Sequence, residues 1–233
     1  DRSANGTTPF EVEAHGSLDN TGLRGQIEFH NASLALEDLP NSLSQLTGTL
    51  EFNQNRLEVR SLTATSGGGQ LSVSGYLAYQ HGIFANLALK GKGIRIRYPQ
   101  GVSSQADANL QLQGPQKNLL LSGNILITRF SVSPDLDFVA LASQAAKVQP
   151  AIPPDAPSNH VRLDVRISSS PQMNFQNAFA KLAGDVDLHL RGTLATPSLL
   201  GRISINEGSA TIARKHYELQ RGDITFTNPV RIQ

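Results

Sequence analysis

The sequence of 233 residues contains no cysteine, no tryptophan and a single methionine, and aromatic residues make up only 6% of it. Without cysteine there is neither a disulfide framework nor a thiolate metal site, which suits the cytoplasm or a bacterial periplasm. With so few rings, an interior has to be lined by Leu, Ile, Val and Ala, and little bulk is available to fill it. Charge of one sign is also missing: Lys plus Arg number 20 against 19 Asp plus Glu, for a net charge of +1. A nucleic-acid partner is therefore not expected, because it normally needs a dominant basic stripe. No apolar run reaches the roughly 18 residues that read as a membrane-spanning helix, and the opening Asp1-Arg2-Ser3-Ala4 is not a signal peptide. The absence of an initiator Met and an end in mid-pattern at Val230-Arg231-Ile232-Gln233 lead to the expectation of a piece of a longer chain.

What is present is a repeated unit. Asp185-Val186-Asp187-Leu188-His189-Leu190-Arg191-Gly192, followed by Gly201-Arg202-Ile203-Ser204-Ile205, is matched by Asp107 to Gly114 followed by Gly123, Ile125 and Ile127. A third copy has Val12, Ala14 and Gly16, then Gly25, Ile27 and Phe29, and Leu23, Leu121 and Leu199 stand just before the second glycines. The unit is apolar-x-apolar-x-Gly, a short linker, then Leu-x-Gly-x-Ile-x-apolar. Two strands joined by a turn give this pattern, because strand side chains alternate between faces. The same alternation runs through Leu46 to Phe52, Leu57 to Leu62, Leu71 to Tyr79, Phe84 to Leu89 and Val161 to Ile167, with Asn53-Gln54-Asn55 and Asn206-Glu207-Gly208 as hairpin turns.

One segment breaks the period. Ser133-Pro134-Asp135-Leu136-Asp137 places an N-cap, a first-turn proline and acids at a helix start, and Phe138, Leu141, Ala142, Ala145 and Val148 recur at helical spacing. The spacing predicts an amphipathic helix of about four turns. It is expected to be a plug or cap packed on the sheet, with a gate lying over the groove or a membrane-surface helix as the alternative. Pro150 to Pro157 then reads as an extended linker. Residues 1–132 thus form a β-rich repeat segment, 133–160 the helix and Pro-rich linker, and 161–233 a β-rich segment that completes the same trough in a single continuous domain.

Chemistry is sparse. The six histidines lack metal-ligand spacing, Gly67-Gly68-Gly69 lacks the Lys-Ser/Thr of a phosphate cradle and reads as a turn or bulge, and no Gly-x-Ser-x-Gly elbow occurs. Asp185 and Asp187 share a strand face and read as a hydrated outer surface rather than a cation site. No enzyme activity, cofactor or metal is expected. The densest basic run, Lys90, Lys92, Arg95 and Arg97, reads as the polar side of an exposed strand or as contacts to lipid headgroups at the rim of a groove.

So many consecutive strands cannot stay a flat open sheet; they close, split or coil. The antiparallel meander keeps its alternation throughout, and the glycines Gly25, Gly48, Gly75, Gly123, Gly184 and Gly201 mark bends or close approaches. Aligned across strands, they would let the sheet curl. The apolar face either packs on itself, as a sandwich or filled solenoid, or lines an open trough that meets a ligand. The wall residues are Leu110, Leu112, Leu121, Ile125 and Ile127, then Leu188, Leu190, Leu199, Ile203 and Ile205, with Ile212, Leu219, Ile224 and Phe226 near the end. Three functions fit such a chain: a lipid-conducting groove, a scaffold or chaperone pairing with β-barrel precursors, or a surface β-solenoid. The last would call for aromatic platforms and clustered carboxylates, which are absent.

The ordered set Gly201-Arg202-Ile203-Ser204-Ile205-Asn206-Glu207-Gly208 and Tyr217 to Pro229, closing in Gly222-Asp223-Ile224-Thr225-Phe226-Thr227-Asn228-Pro229, resembles the C-terminal region of the TamB (translocation and assembly module) family in the AsmA-like superfamily. The resemblance implies an all-β fold called a β-taco, a long sheet folded into a U around an apolar groove. It implies a periplasmic location in a protein anchored in the inner membrane by a segment outside this one. It further implies phospholipid transport to the outer membrane, and work in outer-membrane protein assembly and secretion with an Omp85-type, TamA-like barrel that regions outside this fragment would contact.

Overall fold

A computed structural model describes residues 3–7, 10–17, 20–35, 41–79, 82–97, 102–132, 156–169, 174–176, 180–212 and 215–226. They form fifteen strands: β1 (Ser3–Thr7), β2 (Phe10–Ser17), β3 (Asn20–Ala35), β4 (Leu43–Gln54), β5 (Arg56–Ser66), β6 (Gly69–Ala78), β7 (Phe84–Ile96), β8 (Val102–Pro115), β9 (Leu119–Val132), β10 (Val161–Ser169), β11 (Asn174–Gln176), β12 (Ala180–Gly192), β13 (Pro197–Ile212), β14 (Lys215–Leu219) and β15 (Gly222–Phe226). Short 3-10 turns at Gln116–Asn118 and Pro157–His160 are the only helical elements among the described residues. The helix expected over residues 133–148, and most of the Pro-rich stretch after it, lie outside the described residues.

All strands belong to one curved, open sheet whose order follows the chain from β3 to β10 and on through β12 and β13. β1 and β2 share the edge of β3, and β14 and β15 share that of β13. The local chemistry of the turns explains the tight hairpins. Ser66 pairs with Gly69 across Gly67 and Gly68, whose φ of 57° and 80° are the two left-handed residues of a type I′ turn. The glycine triplet is thus a hairpin, whereas Asn206-Glu207-Gly208, expected to be another, lies inside β13 at a bulge where pairing with β12 continues, Glu207 opposite Ala183 and Gly208 opposite Leu182. A Cβ on Gly67 would lie 2.1 Å from the Arg95 carbonyl oxygen, which already accepts a 2.7 Å hydrogen bond from Asn41 Nδ2.

The meander is antiparallel with one departure: β9 and β10 run parallel, Val161 beside Leu119 through to Ser169 beside Ile127. A parallel neighbour cannot be reached by a hairpin; the chain must first return to the end where β9 began. Residues 133–160 make that connection, which is why the alternation is interrupted there and nowhere else at comparable length.

Buried residues are few. Ala32, Leu46 and Ala64 pack together with Phe29, Leu43 and Leu62 against them, and Val165, 1% exposed, is the largest fully enclosed side chain. The accessible surface is 16104 Å², whereas a compact monomer of this mass exposes on the order of 10,000 Å².

Candidate functional site

Opposed residues in a ladder place their side chains on the same face, so the registers define rows that cross the sheet. One row runs Val59, Gly75, Leu87, Leu112, Leu121, Leu163 from β5 to β10. The next runs Leu62, Val73, Leu89, Leu110, Gly123, Val165, and the one after it Ala64, Leu71, Gly91, Ala108, Ile125, Ile167. These rows hold no charged residue. Beyond β10 they continue through Leu190 to Leu199 and through Leu188 to Gly201, while Val186 opposes Ile203 and Gly184 opposes Ile205. On the far side of β13, Ile203 faces Ile224 and Gly201 faces Phe226. At about 4.8 Å per strand, the apolar face from β3 to β13 is on the order of 40 Å long.

The structure therefore brings ten of the expected wall residues, Leu110 to Ile127 and Leu188 to Ile205, onto one face, and joins Ile224 and Phe226 to it. Ile212 pairs with Lys215, and Leu219 with Gly208, in the β13–β14 ladder. Most wall residues are half-buried: Leu110, Leu112, Leu121, Ile125, Ile127, Leu190, Leu199, Ile203 and Ile205 keep part of their surface in the open, whereas Leu188 is buried and Ile224 is 50% exposed. An interior filled by a second sheet would have buried them all. The reading missed Leu163, Val165 and Ile167, which link the two halves of the wall. Their alternation is plain in the sequence, but only the parallel pairing with β9 puts them between the copies of the repeat.

Glycines punctuate these rows. At Gly123 (φ 133°) a Cβ would stand 2.2 Å from the Asn109 carbonyl oxygen, and at Gly201 (φ 121°) 2.2 Å from that of Asp187. No L-residue adopts such a backbone without strain, and the neighbouring strand leaves no room for one. Gly75, Gly123 and Gly201 fall in three different rows, so the glycines are staggered rather than aligned along one line.

The opposite face is polar and carries short ladders of charge. Arg60 pairs with Glu51 at 2.7 Å, Arg56 with Glu58 at 2.8 Å, and His189 Nε2 lies 2.6 Å from Asp164 Oδ1. Asn206 donates to Asp185 and Ser204 to Asp223, both at 2.7 Å. Lys90 and Lys92 are exposed on this polar face, opposite the apolar rows through Leu89 and Gly91, with Arg95 and Arg97 exposed toward the end of β7 and just past it. The burial of Tyr79, whose hydroxyl donates to the Gln54 carbonyl at 3.1 Å, raises its pKa above the ordinary tyrosine value. No cluster of candidate metal ligands occurs among the described residues.

Comparison with known proteins bears on what this face belongs to. The family model of the TamB C-terminal domain matches residues 60–232, from β5 to beyond β15. The chain belongs to the TamB C-terminal domain family. "Protein TIC236, chloroplastic" of Arabidopsis thaliana is 31% identical over 132 residues, a stretch that covers 53% of this chain and 6% of that protein. The chain thus spans a small fraction of the curated relative's length. No solved structure matches. The TamB match takes in most of the wall, including both sets of Leu and Ile residues from β8–β9 and β12–β13.

Proposed function

We propose that the apolar face is the floor of a U-shaped trough, a β-taco, that carries phospholipid acyl chains between the inner and outer membranes of a cell envelope. The observation that supports this most directly is the run of uncharged rows whose Leu and Ile residues remain half-buried. An apolar patch larger than a few hundred Å² on a soluble chain marks an interaction surface. An acyl chain reaches about 15 Å, half of a bilayer core, so a face on the order of 40 Å holds more than one along its length. Its rows set Leu, Ile, Val, Ala and Gly side by side across the strands. Its action is to keep a continuous low-polarity path. Membership of the TamB family supports a periplasmic position within an inner-membrane-anchored protein, and a role in outer-membrane biogenesis and protein secretion alongside an Omp85-type barrel.

Photo-crosslinkers at Leu190 and Ile203 are expected to capture phospholipid, and one at the polar-face residue Arg202 to capture none. Native mass spectrometry is expected to find lipid on the purified chain. A lipid-free chain with no crosslink at either apolar position would end this reading.

A second reading has its own observation. Among the described residues both edges of the sheet are open ladders, and on the β14–β15 side Tyr217 and Ile224 are 48% and 50% exposed. Strand addition there would make the chain a scaffold or chaperone for β-barrel precursors. Failure of strand peptides to bind either edge would remove it.

A further inference from the structure

We infer that the polar face of β5–β8 carries an anion site, a furrow that takes a phosphate-class group on Lys90 and Lys92. It lies on the side of the sheet opposite the apolar wall and so does not depend on the lipid-conducting reading.

The furrow follows from the registers. One of its walls is the row Thr63, Ser72, Lys90, Asn109, and the other is Thr65, Gln70, Lys92, with Gln45 beside Thr65. Between them, the residues whose side chains point to the apolar face, Ala64, Leu71, Gly91 and Ala108, leave their backbone as the floor. The open furrow has a volume of about 680 Å³. Side chains that line one strand face two residues apart leave the backbone about 7 Å apart, so Lys90 and Lys92 rise side by side from β7, one in each wall of the furrow.

Three features point to an anion rather than to ordinary solvated lysines. No carboxylate pairs with Lys90 or Lys92 among the described residues, although acids elsewhere on this face are matched to cations, as Glu51 is to Arg60 and Glu58 to Arg56. The acid beside Lys92 on β8, Asp107, shares the face of Asn109 but pairs with neither lysine: its Oδ1 accepts a 2.7 Å bond from the Gly93 backbone N–H at the bulge that follows Lys92. The walls supply neutral donors in place of acids. Thr65 donates to Gln45 Oε1 at 2.8 Å, which fixes the amide and leaves its nitrogen as a donor. A phosphate offers several acceptor oxygens, and two ammonium groups with amide and hydroxyl donors around them match that demand. No aromatic residue lines the furrow, so a sugar or base without an anionic group has nothing to stack on.

The test uses the full chain, isotope-labelled, with amide and lysine Nζ signals followed by NMR at low salt. The probes are inorganic phosphate and, separately, dihexanoyl phosphatidylglycerol below its micelle concentration. Saturable shifts at Lys90, Lys92 and Gln70 are expected. Affinity should fall about tenfold or more in the double variant K90Q/K92Q, while K90R/K92R retains it and K117Q, distant in the Gln116–Asn118 turn, leaves it unchanged. Circular dichroism verifies that the exposed substitutions leave the sheet intact. Binding of both probes identifies a site for the free anion, and binding of the lipid alone identifies a headgroup site. Absence of saturable shifts with either probe, or equal binding by K90Q/K92Q, overturns the proposal.

Discussion

Gly123 shows how much one position decides. Its φ of 133° and the Asn109 carbonyl 2.2 Å from where a Cβ would stand combine two separate penalties, backbone strain and collision. Gly123→Ala is expected to destabilise the chain by about 2–3 kcal/mol. Gly68→Ala, at φ 80° with nothing within 4 Å of the added carbon, carries the strain alone and should cost about 1 kcal/mol. Urea unfolding of both variants measures the difference, and equal losses would mean that close approach contributes nothing. Tyr79 gives a residue-scale pH dependence. Burial raises its folded pKa above the unfolded value near 10, so its contribution is fully present below about pH 10 and fades as pH rises through the folded pKa. The difference in unfolding free energy between wild type and Tyr79→Phe should stay constant below about pH 10 and shift against the wild type as pH rises further, measured by urea unfolding across that range; a difference independent of pH would mean that burial leaves the phenol unperturbed.

At the scale of the element, the parallel junction of β9 and β10 holds Val165, the largest fully enclosed side chain among the described residues. Val165 lies between Gly123 and Leu190 and is 1% exposed. Leu112, in the next row, is half-buried. Val165→Ala should therefore cost about 2 kcal/mol through a cavity that cannot collapse, and Leu112→Ala less, even though it removes more carbon. Chemical denaturation decides this; a larger loss at Leu112 would mean that its face is packed against protein. The sequence showed both strands by their alternation, and the hairpin glycines at Gly67 and Gly68 were legible as a turn. It did not show that β10 joins β9 in parallel. Residues 133–160 break the period, and a break in period does not say to which neighbour, or in which direction, the chain comes back.

For the whole molecule the consequence is thermodynamic. A chain that exposes 16104 Å² buries less on folding than a compact chain of the same mass, by roughly a fifth to a quarter. Because the urea m-value scales with the surface exposed on unfolding, it should be smaller in the same proportion than for a compact domain of this length. A full-sized m-value would show that the apolar face is covered in solution, by lipid or by a second copy, and removal of lipid before unfolding separates the two.

The sequence by itself determined the strands, the two faces and the places where only glycine fits. Side-chain alternation has a period of two, and a register error of one residue would turn Leu110, Leu112, Leu121 and Ile125 into solvent, so composition and pattern already bind each strand to a side. Tertiary structure decided the rest: that Leu163, Val165 and Ile167 bridge the two copies of the wall, that the glycines are staggered, and that Thr63 and Ser72 line up with Lys90, and Thr65 and Gln70 with Lys92, along a furrow on the polar side. Each of these depends on which strands become neighbours and in what register. Residues far apart in sequence meet only when the ladder hydrogen bonds form, and the alternation within a single strand carries no record of its partner.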